Sequence, residues 1–331
     1  MRMFRALLVG SSLLLATACS GIIDNTAQPD GGAVGNPDGA VFVDETGDSG
    51  VVDPGDPDAS VVDPNDVAMV CARWNSDREN LSEGTWTGDV ATCNAGEIQT
   101  PGRENALRLI NLYRWLADLP AVSEDTGLSA AAQECALMQK AHGSLSHSPT
   151  PDWECYTTEG ANAAGRSNIS SGPGVRSIDA YMADIHSINS LGHRRWILSN
   201  SLGRVGMGST NQHSCLYVIS GGGTAQKQWT AFPPPGVFPL QAIAPGFGST
   251  DAGGWSIQSD YIRLNDGVVT VTANGQPVAV DVSVLPANYG SSYALRIAPN
   301  GWTTQADTTY HVSVTNIDTP IEYDIDVVDC Q

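Results

Sequence analysis

The chain has 331 residues, with 16 Lys and Arg against 36 Asp and Glu, and a formal net charge of −20. This balance argues against a nucleic-acid partner, because sequence-independent binding needs a basic surface that displaces counterions from phosphates. Eleven of the acids lie in residues 20–66, which contain no Lys or Arg, so part of the acidity belongs to one segment. The length allows about two domains of about 150 residues.

Residues 1–19 have the pattern of an export signal. A short basic start precedes an apolar run of about eleven residues, which is too short to span a bilayer. Small residues then precede Cys19, and this resembles the lipobox of bacterial lipoproteins, although Ala16 stands where Leu is preferred. The resemblance implies a lipidated Cys19, a membrane partner through this anchor and, with Ser20 next, an outer-membrane location. The alternative is a secretory signal cleaved after Ala18, which also places the protein outside the cytoplasm.

Residues 20–66 are predicted to form a disordered acidic linker. The segment is rich in Pro, Gly and Asp, and it repeats VVDP at Val51 and Val61. Pro and Gly break helices, Asp residues repel each other, and few apolar residues are available to offset the loss of chain entropy on folding. We expect a tether between the membrane and the folded part.

Six cysteines besides Cys19 predict three disulfides, because an even number in an exported chain is typical of a disulfide framework. No C-x-x-C occurs, which argues against a redox motif or a zinc ribbon. Short loops favour two local bridges, and the third would connect the chain terminus to the first domain. The favoured pairs are Cys71–Cys93, Cys135–Cys155 and Cys215–Cys330.

Residues 104–232 carry helical patterns followed by strand patterns. Apolar spacing and capping residues predict helices over Glu104–Leu119, Ser129–Gly143 with Ser129 as N-cap, Ile178–His186 and Leu191–Leu198. Strand-like pieces follow at Val205–Gly208, Cys215–Ser220 and Gln228–Phe232. Helices first and antiparallel strands after them predict an α+β layer fold.

Residues 104–208 resemble the CAP superfamily, named for cysteine-rich secretory proteins, antigen 5 and pathogenesis-related proteins. Five motifs occur in the family's order, namely INLYRWLADLPAV, LSAAAQECALMQKAHGSLSHSP, GRSNISSG, AYMADIHSINSLGHRRWIL and VGMG. The resemblance implies an α-β-α sandwich with a cleft lined by two His and two acidic residues, where some members bind a divalent metal. It places the two imidazoles at His147 and His193.

The acidic positions of this cleft depart from the family's pattern. SNISSG puts Ser167 where the family has Glu. The second acidic position falls at Asp184, which an insertion of several residues separates from His193. Glu159 is the alternative in a rival register. Two imidazoles and a carboxylate match the ligand preferences of Zn²⁺. The resemblance therefore implies His147 and His193 as ligands of Zn²⁺ or Mg²⁺, in a site weakened by the missing carboxylate. No other cofactor is indicated.

Three functions are compatible with this cleft. The leading one is a non-enzymatic envelope or surface protein that binds a small ligand, a partner or a divalent ion. The second is a peptidase-like or esterase-like hydrolase, with His193 as base and Ser167 or a water as nucleophile. In its triad form, Asp184 is the carboxylate partner of His193. The third is an inert structural or adhesive module. Arg194 and Arg195 are expected to be ion-pair partners in this acidic domain.

Residues 235–331 are predicted to form a second domain after a first one over 67–234. The Pro-rich run WTAFPPPGVFP marks the junction. Beyond it apolar and polar residues alternate at period two, and Asn274-Gly275 predicts a type I′ hairpin. At least six strands in this length predict an Ig-like β-sandwich. It carries no metal or nucleophile constellation, so its predicted role is packing on the first domain or binding a partner.

Overall fold

A computed structural model of the chain describes residues 66–246 and 248–331. The predicted signal segment, the predicted lipidation site Cys19 and the predicted linker up to residue 65 lie outside these residues. The described residues all belong to one compact unit. None of the helices in the described part has both the length and the apolar character needed to cross a membrane.

The first part of the described chain alternates helices with short strands. In chain order these are α1 (Val67–Asp77), α2 (Thr100–Leu116), β1 (Ser123–Glu124), α3 (Thr126–His142), α4 (Thr158–Ala164), β2 (Ser167–Ser170), α5 (Gly174–Ala183), α6 (Gly192–Ile197), β3 (Arg204–Ser209) and β4 (Ser214–Tyr217). The four strands form one sheet in the order β1-β3-β4-β2.

The second part is almost entirely β. Its elements are β5 (Thr230–Phe232), β6 (Gly236–Pro239), a 3-10 turn at Leu240–Ala242, α7 (Thr250–Gly253), β7 (Trp255–Ser259), β8 (Val268–Ala273), β9 (Gln276–Val278), β10 (Val280–Leu285), β11 (Tyr293–Pro299), β12 (Thr308–Thr315) and β13 (Ile321–Val328). They form a second sheet, β10-β11-β7-β5, and a third sheet, β6-β13-β12-β8-β9.

The first sheet is covered by helices on both faces. Along β3, Val205 and Met207 point into the core that contains α2 and α5. Gly206 and Gly208 point the opposite way and let the backbone of α3 lie directly on the strand. Successive side chains of a strand alternate between faces, so α3 and α4 cover one face while α2 and α5 cover the other. The predicted α-β-α sandwich is confirmed.

Capping explains where the helices begin and end. Asp125, and not the predicted Ser129, is the N-cap of α3, and its carboxylate accepts hydrogen bonds from the backbone of Gly127 and Leu128. Ser129 is buried within the helix, where its hydroxyl accepts a hydrogen bond from the backbone of Met207. Gly143 ends the helix in the left-handed conformation, as predicted, with φ 74°.

The sequence patterns did not predict α1 and α4. Helix α5 begins four residues before its predicted start and ends three residues before its predicted end. The reason for the earlier start of α5 is a cap supplied from far away in the chain. The carboxylate of Glu83 accepts hydrogen bonds from the backbone N–H groups of Val175 and Arg176, at 2.7 and 2.8 Å. Local sequence cannot reveal a cap that lies about ninety residues upstream.

The second and third sheets pack face to face as a β-sandwich, which confirms the predicted α+β class and C-terminal sandwich. Trp255 of β7 meets Tyr310 of β12 across the interface, with their ring centroids 5.4 Å apart. The predicted hairpin joins β8 to β9, with φ values of 46° at Asn274 and 78° at Gly275.

The two parts share one hydrophobic core. Strand β5 lies before the predicted domain boundary, yet it pairs with β7 in the second sheet. Phe232 of β5 contacts Tyr113 of α2 at a ring distance of 6.0 Å and Phe238 of β6 at 5.4 Å. The buried cluster that contains these rings runs from α1 to β13. The α-β-α sandwich and the β-sandwich therefore support each other directly.

Six cysteines form three disulfides, as predicted, but the predicted pairing is wrong. The observed pairs are Cys71–Cys330, Cys93–Cys155 and Cys135–Cys215. Tertiary packing, and not loop length, selects them. Cys135 of α3 faces Cys215 of β4 within the helix-sheet interface, and the C-terminal residues lie beside α1, where the side chain of Asn75 donates to the carbonyl of Cys330.

His213 is expected to make the stability of the fold depend on pH. Burial, and secondarily the charge of Lys140, lowers the pKa of His213. Between this lowered value and about 6.5, the unfolded chain binds more protons than the folded one, so the free energy of unfolding rises with pH. The contribution of the neutral His213 side chain to the free energy of unfolding is fully present above about pH 6.5 and is lost as the pH falls below this value.

Urea unfolding of wild type and His213→Gln between pH 5 and pH 7.5 measures this contribution. We expect a smaller loss of stability on acidification in His213→Gln, whereas His186→Gln, at an exposed histidine, keeps the wild-type dependence. Equal slopes for wild type and His213→Gln would contradict the assignment.

Candidate functional site

The centre of the candidate site is a fixed imidazole on α6. His193 Nδ1 lies 2.8 Å from Oδ1 of Asp184. The side chain of Asp184 is 1% exposed, while that of His193 is 23% exposed. The carboxylate accepts from Nδ1–H, which leaves Nε2 of the neutral ring as the acceptor. Among the described residues, none hydrogen-bonds Nε2, so this nitrogen is available to a ligand.

Backbone geometry places the carboxylate of Asp184. The residue ends α5 in the left-handed conformation, with φ 51°, which Asp tolerates better than most residues because of its short polar side chain. Its Oδ2 accepts from the backbone N–H of His193 at 3.0 Å and of Arg194 at 3.3 Å. One buried side chain thus ends α5, caps the first turn of α6 and orients the imidazole.

Two further side chains of the site were not singled out from the sequence. The ring of Tyr181 lies 5.1 Å from that of His193, and its hydroxyl donates to the carbonyl of Asn168 at 3.1 Å. Burial raises the pKa of Tyr181, so the hydroxyl stays protonated. The amide of Asn168 donates to the carbonyl of His193 at 3.0 Å. The signal for Asn168 was its place in the motif SNISSG.

His147 occupies a different environment from His193. It is exposed after the end of α3, and its Nδ1 lies 2.9 Å from the carbonyl oxygen of Ala164 at the end of α4. Glu159 is exposed in the first turn of α4. Neither His147 nor Glu159 hydrogen-bonds to His193 or Asp184. Among the predicted cleft residues, only His193 and Asp184 are therefore hydrogen-bonded to each other.

The predicted Ser167–His193–Asp184 triad is not assembled. Ser167 is buried on β2, and its Oγ has no hydrogen-bond partner within the described part of the chain. Its side chain leaves the strand on the same face as Ile169, which packs against α3 and α4. Asn168, on the other face, is the strand residue that contacts His193. The alternation of β2 therefore directs the hydroxyl of Ser167 away from the imidazole.

The donor set does not fit a three-ligand metal site. In the described residues, no three His, Cys, Asp or Glu side chains group in a way that could hold a metal ion. Both His147 and His193 have a hydrogen-bonded Nδ1, which is the arrangement of many metal-binding histidines. Zinc sites in proteins nevertheless use at least three protein ligands, and the carboxylate expected at position 167 is a buried Ser.

Arg194 and Arg195 are not the expected ion-pair partners. Both guanidinium groups are fully buried and bind oxygen atoms of the backbone and of serine hydroxyls. Arg194 donates to the carbonyls of Met182 and Gly254, and Arg195 to that of Pro286. Burial lowers the pKa of each to about 10, so both are cationic at neutral pH. They connect α6 to the β-sandwich directly beside His193.

Comparison with known proteins finds a family match over part of the chain. Residues 107–221 match the CAP family model, described as the cysteine-rich secretory protein family. We call these residues the CAP segment. The segment contains all five predicted cleft residues, listed here as His147, Glu159, Ser167, Asp184 and His193.

A solved structure and the curated proteins add little to this match. The structure is the 1.5 Å crystal structure of an extracellular protein containing an SCP domain from Bacillus anthracis str. Ames. It is 18% identical, with a TM-score of 0.28, over 34% of this chain and 38% of that chain. This chain thus covers well under half of that protein. No curated protein matches the chain.

Proposed function

We propose that the protein is an extracytoplasmic binding protein whose CAP segment holds a small ligand, or a group of an envelope or surface partner, at Nε2 of His193. The observation that carries the proposal is the buried carboxylate of Asp184, which holds Nδ1 at 2.8 Å and leaves Nε2 without a hydrogen-bond partner among the described residues. A pre-oriented acceptor needs little ordering when a donor binds to it. Three disulfides support an exported protein.

Binding without turnover is favoured, because no nucleophile of the described residues hydrogen-bonds to Nε2 of His193. Ser187 Oγ lies 3.5 Å from Nδ1 of His193, the nitrogen that Asp184 already holds, and not beside the free Nε2. Ser167 is buried without a partner. Serine hydrolases require the nucleophile and the base within hydrogen-bond distance. Membrane attachment through Cys19 completes the proposal.

The test combines ligand screening with a turnover assay. We expect members of a fragment library to shift the ring resonances of His193 in NMR spectra of the wild-type chain. His193→Ala should abolish this binding, and Asp184→Asn should weaken it about tenfold, since it removes the charge that orients the ring. Asn tolerates the left-handed backbone at position 184, so the fold is retained.

His186→Ala is the matched control, because His186 is exposed in the loop that precedes α6, and its loss should leave fragment binding unchanged. p-Nitrophenyl acetate and peptide p-nitroanilides should not be hydrolysed faster than in His193→Ala. Fragment binding that survives in His193→Ala, or is absent in wild type, would contradict the proposal and favour an inert module.

Hydrolysis by a water molecule is the second candidate function. The pair of His193 and Asp184 favours it, because a carboxylate-supported imidazole is a competent general base for water. Turnover of either substrate that disappears in His193→Ala would identify the protein as a hydrolase. Zinc calorimetry on wild type and His147→Ala tests the metal alternative, and equal heats would exclude His147 as a ligand.

A further inference from the structure

A shallow cleft of about 310 Å³, largely open to solvent, lies where the end of the first part of the chain meets the β-sandwich. Its volume falls at the lower end of the range for small-ligand sites. Its lining contains neither His193 nor Asp184. The polar side chains of the lining are Asn200, Ser201, Thr224, Gln226, Asp260 and Tyr261.

Asp260 supplies a held anionic acceptor in this cleft. One carboxylate oxygen accepts from the amide of Asn200 at 3.3 Å, and the other accepts from the backbone N–H of Ser292 at 3.1 Å. The same amide nitrogen donates to the carbonyl of Lys227 at 2.9 Å. Each carboxylate oxygen has a further lone pair, so Asp260 can accept additional hydrogen bonds without moving.

The composition of the lining selects the class of ligand. It includes no Lys, Arg or His, which disfavours an anion. Its single carboxylate disfavours Ca²⁺, which takes six to eight oxygen ligands and commonly several carboxylates. The remaining groups are neutral hydroxyls and amides, together with Tyr261, whose side chain is 54% exposed. Neutral polar groups around one acceptor and one open aromatic ring match a ligand with many hydroxyls and an apolar ring face.

We propose that this cleft is a binding site for a neutral saccharide. Asp260 accepts hydrogen bonds from sugar hydroxyls, and Ser201, Thr224 and Gln226 donate to and accept from others. The ring of Tyr261 packs against the C–H face of the sugar, as amphipathic aromatic side chains do at binding surfaces. The site is independent of His193 and adds a second binding function to the one proposed above.

Saturation-transfer NMR on the full, disulfide-bonded chain tests the proposal with glucose, galactose, N-acetylglucosamine, cellobiose and chitobiose as probes. We expect saturation transfer to at least one of them. Asp260→Ala and Tyr261→Ala should each weaken that binding at least about tenfold, in line with the loss of a charged hydrogen bond or an aromatic contact. Asp260→Asn keeps the shape of the side chain and should weaken binding by removing its charge.

Tyr289→Ala is the matched control, because Tyr289 is another exposed tyrosine of the same sandwich, at 40%, outside the lining. It should bind the sugar as wild type does, and so should His193→Ala, which separates this site from the first. Thermal unfolding verifies that each variant is folded. The proposal is overturned if no probe receives saturation, if binding persists in Asp260→Ala, or if Ca²⁺ alone shifts the resonances of the cleft.

Discussion

Gly208→Ala is expected to lower the free energy of unfolding by about 3 kcal/mol or more, as overpacking of a tight interface does. A Cβ atom at position 208 would overlap the backbone carbonyl of Ala132 in α3. Backbone cannot rotate away as a side chain can, so the whole of α3 would have to shift from the sheet. The Cys135–Cys215 disulfide, which joins α3 to β4, restricts that shift.

Urea unfolding at pH 7 with intact disulfides measures the effect. The matched control is Gly127→Ala, also at the α3 layer, where the nearest atom to the new Cβ is the carboxylate oxygen of Asp125 at 3.3 Å. Alanine favours a helix, so this variant should stay within about 1 kcal/mol of wild type. Equal stability of the two variants would show that α3 does not lie as close to β3 as described.

Arg194→Met is expected to lower the free energy of unfolding by about 3–5 kcal/mol, because it removes the donor of a buried hydrogen-bond network. The Arg194 guanidinium donates to the carbonyls of Met182 and Ala183, the last residues of α5, and to the carbonyl of Gly254 before β7. Methionine fills similar space but leaves these buried carbonyls without partners.

The matched control is Arg263→Met. Arg263 is an exposed arginine with a surface ion pair to Asp266 at 3.5 Å, and such pairs contribute about 0–1 kcal/mol. Both variants are measured by the same urea unfolding. If Arg194→Met were as mild as Arg263→Met, water would have to replace the guanidinium as donor to these carbonyls.

Much of the fold was predictable because local patterns carry it. Helical spacing located α2 and α3, and Asn274-Gly275 predicted the hairpin between β8 and β9. The errors arose where a distant residue decides the local structure. Glu83 caps α5 from about ninety residues upstream, and Cys71 pairs with a residue 259 positions away.

The sequence predicted some residues of the candidate site, but not the direction in which each side chain points or the partner that covers it. Motif spacing located His193 and Asp184, and the structure shows them hydrogen-bonded. Spacing could not reveal that the face of β2 directs Ser167 toward α3 and α4 while Asn168 contacts α6. The sequence also predicted Arg194 as an ion-pair partner, because nothing local shows that the β-sandwich will bury it and supply carbonyl acceptors. Which face a residue takes, and which partner covers it, are decided by tertiary packing.

The Cys71–Cys330 bridge bears on how the protein responds to mechanical force. The two cysteines are 259 positions apart, near the two ends of the described chain. A pull applied between the N-terminal segment and the C-terminus would pass through the sulfur atoms and leave the intervening residues unloaded. Intact, the bridge hides a contour length of roughly 850–930 Å, at about 3.3–3.6 Å per residue. The Cys93–Cys155 and Cys135–Cys215 bridges lie within this loop, so only reduction of all three disulfides would expose the full length to extension.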